Sequence, residues 1–326
     1  MFGYYLDLPN EVRMMIIDET EPDDRCRMTR CSKLCNREAK ASKKYIHLLE
    51  IIAFTEEKII VTFLYNSPKN SPRHGYKLEF VKENGKKYMR CKNANNQECW
   101  VDELNKYTNL VRFAIDYFKK NLKLYQNIIK HLHITRNGDV FMFKDNDDLG
   151  IERLKNVEEL YLDDSVDARR IVSKIRKPLK NLSITGLRNR HFVPDIEQIY
   201  VAQDRLTIYN ANLNFEKFMR LSASKISMHI GILNEEDVFN FIRMWQNGTL
   251  RHNFEWCFWV MDTKNFSVNR LVSLLGVQKR NYDIFYERDD YYDIQHLTEA
   301  GKLAELIYHS KTYLRFIVNR RNSSTA

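Results

Sequence analysis

His131 and His133, in the segment HLH, form the pair of side chains best suited to bind a metal ion. Alternate residues of a β-strand point to one face, so an extended segment places both imidazoles side by side. Two neighbouring imidazoles are a minimal fragment of a transition-metal site. The sequence supplies no third ligand at the spacing of a known metal motif. We therefore interpret the two histidines as structural or surface residues and predict no metal site.

Clustered carboxylates are the second candidate for chemistry. The run DNDD at 145–148 has the composition of a cation loop, but it lacks the glycine and the terminal glutamate of a calcium hand. DD at 163–164 and RDD at 288–290 are interpreted in the same way, as exposed acidic turns. The sequence contains no glycine-rich phosphate loop, no Gly-x-Ser-x-Gly and no His-Glu-x-x-His. We predict no catalytic residues, no cofactor and a protein that is not an enzyme.

The six cysteines suit a reducing compartment. Cys26, Cys31 and Cys35 cluster, and Cys31 and Cys35 share a helical face, which raises zinc as a hypothesis. No Cys-x-x-Cys and no pair with finger spacing accompanies them, so we interpret the cysteines as buried thiols that act as small apolar residues.

Composition indicates a globular protein, with 44% hydrophobic and 29% charged residues. The net charge of +9 permits salt-sensitive attraction to nucleic acid or to acidic partners. The basic residues are dispersed, however, and the densest clusters, at 82–92 and 188–191, are typical of solvated turns. We therefore predict no nucleic-acid groove. No apolar run approaches the roughly 20 residues of a membrane helix, and we predict a cytoplasmic or nuclear protein without a membrane partner.

Three zones of secondary structure follow from the hydrophobic pattern. Residues 6–42 predict three short helices, in which Val12, Met15 and Ile16 share one face at spacings of three and four. Three such helices bury little surface alone, so they need a neighbour in this chain or in another. Residues 43–128 predict an antiparallel sheet of about four strands, followed by a linking helix with an apolar face.

The third zone, residues 129–320, carries a rough internal repeat. Short apolar strands near residues 132, 158, 180, 204, 225 and 255 recur about every 20–30 residues, with helical or irregular segments between them. This pattern is typical of a leucine-rich-repeat-like solenoid. Residues 321–326 predict a disordered tail. The complete predicted fold is α+β to α/β: an N-terminal three-helix bundle, a small antiparallel sheet, and an irregular α/β solenoid with a parallel sheet and outer helices.

Aromatic residues in the solenoid region could anchor a partner. Trp245 and Gly248 are explained structurally, as a core tryptophan and a left-handed helix cap. Trp256, Phe258 and Trp259 predict core residues with one exposed aromatic among them. An exposed aromatic cluster would be a binding anchor, but the sequence leaves open which side each residue faces.

The N-terminal zone resembles an F-box. The resemblance rests on Leu8-Pro9-x-Glu11-Val12, Ile16-Ile17, the break at Pro22-Asp23-Asp24, and Cys31-Ser32-Lys33. It implies that the apolar first helix docks on a Skp-family adaptor and is not covered by its own chain. The alternative is that this helix packs on the second zone, residues 43–128. The residues that the resemblance assigns to the adaptor contact are Leu8, Pro9, Val12, Ile16, Ile17, Met28, Cys31 and Lys33.

The rest of the chain resembles the nematode-expanded F-box families, whose C-terminal half is an F-box-associated domain of type 2. The matching segments are 233–256, an acidic helix start with a Phe-rich helix and Trp-x-x-Gly, and the linking helix at 111–125. The resemblance implies the substrate-recognition subunit of a Skp-cullin-F-box ubiquitin ligase, bound through the adaptor to cullin and holding an unknown protein target. The alternatives are a scaffold with a vestigial F-box and a basic nucleic-acid-binding protein.

Overall fold

The computed structural model contains two compact units, Met1–Lys177 (unit 1) and Pro178–Ala326 (unit 2). Fourteen strands and seven helices lie within the described parts of the chain. The structure describes residues 7–20, 46–65, 75–93, 95–104, 109–125, 129–136, 154, 156–163, 168–175, 177–185, 197–208, 213–230, 233–251, 253–261, 266–280, 289–299, 302–309 and 313–319.

Helix α1, Asn10–Glu19, begins directly after a proline. Proline fixes its own φ near the helical value and lacks an N–H that the first turn could not use. The Pro9 carbonyl accepts the Arg13 backbone N–H at 3.0 Å, which closes the first turn. The helix ends at Thr20, whose backbone is extended.

Unit 1 is built on a mixed sheet of seven strands in the order β7-β6-β1-β2-β3-β4-β5. Strands β1 to β5 are joined antiparallel, whereas β6 runs parallel to β1, and β7 runs parallel to β6. Asn84 and Gly85 have φ of 51° and 77°, the left-handed backbone that a tight hairpin between β3 and β4 requires. The seven strands are β1 Ile46–Thr55, β2 Lys58–Tyr65, β3 Gly75–Glu83, β4 Lys86–Asn93, β5 Glu98–Leu104, β6 Ile129–Arg136 and β7 Glu159–Leu162.

Helix α2, Leu110–Tyr125, lies on one face of this sheet. Its buried residues Ala114, Phe118 and Leu122 recur every four residues, the spacing of one helical face. The Phe80 ring on β3 lies 5.9 Å from Phe113, which fixes the helix over the strands. Helix α3, Ala168–Ser173, completes unit 1. None of the helices in the described ranges is long and apolar enough to cross a membrane.

Unit 2 contains a second mixed set of strands in the order β8-β9-β10-β11-β14-β13-β12. Strands β8 to β11 are parallel, and β14 returns antiparallel against β11 before β13 and β12 continue the sheet. The elements are β8 Asn181–Ile184, α4 Glu197–Val201, β9 Arg205–Ile208, α5 Phe215–Met219, β10 Lys225–Ile230, α6 Glu235–Gln246, β11 Trp256–Met261, α7 Val268–Leu275, β12 Asp289–Gln295, β13 Leu303–His309 and β14 Tyr313–Asn319.

Phe241 on α6 lies at the centre of the unit 2 core. Its ring centroid is 5.2 Å from those of Phe218 and Phe254, 5.7 Å from Trp259 and 6.3 Å from Phe316. All five side chains are at most 4% exposed. Edge-to-face aromatic pairs add to the free energy gained by burying the rings, so this cluster attaches α6 to the strands.

A capping box fixes the start of α6. The Asn234 side chain accepts the Asp237 backbone N–H at 2.9 Å, and the Asp237 carboxylate accepts the Asn234 N–H at 3.2 Å. Two otherwise unpaired donors of the first turn are satisfied reciprocally, so the acidic helix start seen in the sequence sets where Phe241 enters the core.

The predicted fold class is wrong as a whole, although its individual strands are confirmed. The chain forms mixed sheets, not a three-helix bundle followed by a separate antiparallel sheet and a solenoid. Strand β1 pairs with antiparallel β2 on one side and parallel β6 on the other, so the antiparallel strands continue directly into parallel ones. Strand β14 reverses against β11, which ends the parallel series that a solenoid would extend. Of the three predicted N-terminal helices the structure describes α1, and residues 21–45 lie outside the described ranges.

Replacing Phe241 with alanine should lower the free energy of unfolding by about 3–5 kcal/mol, because it opens a cavity among four aromatic rings. Phe258→Ala, on the opposite face of β11, should cost only about 1 kcal/mol because that side chain is half exposed. Urea unfolding of the two variants measures both values. Equal losses would contradict the assignment of the core face.

Candidate functional site

Helix α1 presents three large apolar side chains to solvent. Val12 is 39% exposed, Met15 67% and Ile16 37%, among the most exposed large hydrophobic residues in the described ranges. Positions 12, 15 and 16 are separated by three and four residues, so these side chains form one continuous patch, which we call the α1 patch. Exposed apolar side chains that adjoin one another in this way are typical of a protein-interaction site.

The other residues that the F-box resemblance assigns to adaptor contact have different positions. Leu8 is half-buried and Pro9 is exposed, both just before α1 and therefore at one end of the α1 patch. Ile17 is fully buried. It faces away from the α1 patch and anchors the helix on its own chain, so it is not available to a partner. Met28, Cys31 and Lys33 lie outside the described residues.

The HLH pair lies on β6 with both imidazoles on one face, as the alternation predicts. The flanking strands add carboxylates: Glu50 on β1 lies opposite His133, and Glu159 on β7 lies opposite His131. His133 Nε2 is 3.0 Å from Glu159 Oε1, and His133 Nδ1 is 3.7 Å from Glu50 Oε1. His131 Nδ1 is 3.7 Å from the same Glu159 oxygen. One imidazole is therefore held between carboxylates from two neighbouring strands.

The two imidazoles of this cluster have opposite charge preferences. Burial lowers the pKa of His133, but the hydrogen bonds and charges of Glu159 and Glu50 outweigh burial and raise that pKa to about 9. The pKa of His131 is lowered, chiefly by burial, and also by the neighbouring His47, whose ring centroid is 4.3 Å away. At neutral pH the cluster is thus a single imidazolium between two carboxylates.

The chemistry of this cluster is electrostatic. In the described part of the chain, no group of three or more His, Cys, Asp or Glu residues has the arrangement of a metal site. An imidazolium paired on both sides ties β1, β6 and β7 together. The sequence revealed the two histidines but missed Glu50 and Glu159, because the carboxylates come from strands whose neighbours only the topology defines.

Residues of two predicted acidic turns are not exposed in the structure. Asp163 follows β7 and is buried, with its backbone N–H donating to the Ile134 carbonyl at 3.2 Å. Asp289 and Asp290 begin β12 and are half-buried. The expectation of exposed turns is therefore wrong for these residues. Residues 145–148 lie outside the described ranges.

The aromatic residues of β11 divide between the two faces of the strand. Trp259 is fully buried in the core, whereas Trp256 and Phe258 are half-buried on the opposite face. Trp245 on α6 is buried, with its ring centroid 5.3 Å from that of Phe316, and Gly248 has a φ of 70°. The structural explanation of Trp245 and Gly248 is confirmed, and two aromatics, not one, lie on the outer side of β11.

No protein-family model, no curated protein and no solved structure matches the chain. The F-box resemblance of residues 6–42 therefore stays a prediction.

The His133 cluster should make stability depend on pH in a defined window. The pKa of about 9 in the folded chain lies above 6.5, the ordinary value, so the stabilisation is complete below pH 6.5 and is lost as the pH rises to about 9. His133→Gln should lower the free energy of unfolding by about 1–3 kcal/mol at pH 6.5, because two half-buried carboxylates lose a charged donor. The difference between variant and unchanged protein should shrink toward pH 9.

His131→Gln is the matched control, since its lowered pKa has the opposite consequence. His131 binds a proton less readily in the folded chain, so it costs stability as the pH falls below 6.5. That variant should differ from the unchanged protein at acidic pH and not between pH 7 and 9. Urea unfolding at a series of pH values tests both. A His133→Gln difference that is constant from pH 6 to 9 would rule out the imidazolium.

Proposed function

We propose that the chain is a non-catalytic protein-recognition subunit that docks on a Skp-family adaptor through α1 and presents a protein target to a cullin-based ubiquitin ligase. It makes and breaks no bond itself, and its contribution is to hold the target close to the charged ubiquitin carrier. The proposal places it in the cytoplasm or the nucleus, where such ligases work.

The observation that carries the proposal is the exposure of Val12, Met15 and Ile16 on one side of a helix whose other side is anchored. Ile17 is fully buried, so α1 has apolar residues both toward its own chain and toward solvent. A helix that only packed on its own chain would expose polar residues on its outer side. Because Ile17 holds the helix in place, the α1 patch is ordered before a partner arrives, which lowers the entropic cost of binding.

The magnitude of this contact shows what else the adaptor must touch. Completing the burial of three partly exposed apolar side chains contributes about 3 kcal/mol. Association alone costs roughly 4 kcal/mol or more in lost translation and rotation. The α1 patch is therefore insufficient by itself, and we expect the adaptor also to contact the neighbouring Leu8 and Pro9. The predicted contacts at Met28, Cys31 and Lys33 would supply the remaining area.

Met15→Asp combined with Ile16→Asp should reduce the affinity of the full chain for purified Skp-family adaptor at least tenfold. The reason is that two carboxylates would be buried unpaired in an apolar interface. Isothermal titration calorimetry measures the affinity, and thermal unfolding checks that the variant is folded. Met15 is 67% and Ile16 37% exposed, so the variant should stay folded with only a modest loss of stability.

Asn10→Asp is the matched control. It adds a negative charge to the same helix at an exposed position in its first turn, where acidic residues are favourable. This variant should bind the adaptor as the unchanged chain does. If the unchanged chain fails to bind the adaptor, or if the double Asp variant binds equally well, the ligase-subunit proposal is wrong, and a scaffold with a vestigial motif is the better description.

A further inference from the structure

The strands of unit 2 place alternate residues in register on the face opposite the core. In β12, β13, β14, β11 and β10 the buried positions, such as Leu306, Phe316 and Trp259, alternate with positions that solvent reaches. We call the second set the outer face. It consists of three cross-strand rows: Asp289, His309, Tyr313 and Val260; Tyr291, Ile307, Arg315, Phe258 and Ser227; and Asp293, Glu305, Ile317, Trp256 and Lys225.

The centre of the outer face is apolar and aromatic. The rings of Phe258 and Tyr313 stack at 5.3 Å with 22° between their planes. The Arg315 guanidinium lies 5.8 Å from the centroid of the Trp256 ring, and Arg315 is exposed. Trp, Tyr and Arg are the residue types that most often dominate the binding energy of protein interfaces. Stacked rings are also held in place before binding, so little entropy is lost.

The size of this centre fits one helix. Its apolar residues lie on β13, β14 and β11, which span about 10 Å at the usual spacing between strands. Three rows of alternate residues extend about 14 Å along the strands. An α-helix is about 10 Å wide and rises about 5 Å per turn, so nearly three turns would cover the centre of the outer face. On the core face, α6 lies across two of these strands: Phe241 contacts Trp259 on β11 and Phe316 on β14, and Trp245 contacts Phe316.

The β12 side and the β10 side of the outer face differ in charge. Toward β12 lie the exposed carboxylate of Asp293 and the half-buried carboxylate of Glu305, whereas the Asp289 side chain is only 9% exposed and is paired with His309. Arg280 Nη1 is 3.3 Å from Asp293 Oδ1 and 3.8 Å from Glu305 Oε1, so one permanent positive charge faces two accessible negative ones. Toward β10, Lys225 Nζ is 2.9 Å from Asp204 Oδ1 and 3.5 Å from Glu255 Oε2. The β12 side is therefore net negative. On the β10 side, the positive charge of Lys225 is balanced by Asp204 and Glu255.

This distribution of charge favours a protein over a nucleic acid as the ligand of the outer face. Aromatic sheet faces can stack unpaired bases, but they need cations along the path of the phosphates. Here the side beside the aromatic patch is acidic and repels phosphates. Lysine or arginine side chains beside an apolar stripe would instead be attracted to Asp293 and Glu305.

We propose that the outer face of unit 2 binds an amphipathic protein helix whose apolar stripe is bordered by lysine or arginine on the side that meets β12. The identification of this helix as part of the ubiquitination target rests on the proposed function. The argument for the binding surface is independent of that function. Trp256, Phe258 and Tyr313 receive the apolar stripe, and the carboxylates select the basic border.

The test selects random 16-residue peptides on the immobilised full chain and measures the affinity of the recovered peptides by fluorescence anisotropy. Recovered peptides should carry apolar residues every three or four positions and a net positive charge. Trp256→Ala combined with Phe258→Ala should weaken their binding at least tenfold. Glu305→Lys should weaken it about tenfold, with the effect diminishing at high salt. Tyr161→Ala, at a half-buried tyrosine in unit 1, is the matched control and should bind normally.

Three results would overturn the proposal. They are no enriched peptide, recovered peptides with net negative charge, or peptides that bind the Trp256→Ala, Phe258→Ala variant as tightly as the unchanged chain. A sixteen-nucleotide oligo-dT that binds the unchanged chain and not this variant would instead assign the face to single-stranded nucleic acid. Adaptor affinity is also measured on the outer-face variants, where it should be unchanged, and on the double variant Met15→Asp, Ile16→Asp, where it should fall at least tenfold. The two proposals can therefore fail separately.

Discussion

Thirteen of the fourteen described strands bury one face, and this burial constrains everything else in the fold; β5 has no buried residue. Alternate positions on the strands carry Ile, Leu, Val and Phe that are almost fully buried, for example Ile51 on β1 and Leu206 on β9. Because successive side chains in a strand point to opposite faces, burying one set under helices places the other set at the surface. A slip of one residue in any strand would exchange these sets at a cost of several buried side chains, about 1.5–3 kcal/mol each. The strand registers, and the functional chemistry of the opposite face, are therefore fixed together.

The side chains outside the core differ in character between the two units. In unit 1 the β1, β6 and β7 residues form a charged cluster in which His133 is held between Glu50 and Glu159. Such a cluster satisfies its own hydrogen bonds and offers little apolar surface to a partner. In unit 2 the corresponding positions of β11 and β14 are Trp256, Phe258 and Tyr313, which gain free energy if a partner covers them. We regard the first as a device that holds strands together and the second as a surface for recognition.

Helix α1 combines both roles in one element. Its buried Ile17 fixes it to its own chain, and its exposed Met15 extends toward solvent. Apolar side chains on two sides of the helix account for the run of Met and Ile at 14–17, and the polar half of its ten residues lies mostly at the two ends. Neither side alone buries enough area to hold two proteins together, so recognition through α1 depends on residues beyond it.

Local patterns in the sequence were enough to predict much of the secondary structure, but not β5 or β12 to β14. Alternation and turn residues correctly placed the strands around residues 132, 158, 180, 204, 225 and 255, and the acidic start and Phe-rich run correctly placed α6. The sequence also identified the α1 patch and the shared face of His131 and His133, because both follow from the fixed periods of helix and strand. The pairing of the strands became known only from the three-dimensional structure. Strand β6 lies beside β1, so Glu50 and Glu159 are close to His133. Strand β14 runs antiparallel to β11, so Trp256 lies next to β14. Those neighbours are far apart in the chain, and strand pairing is decided by the total apolar area that the assembled sheets bury, a quantity that no local period contains.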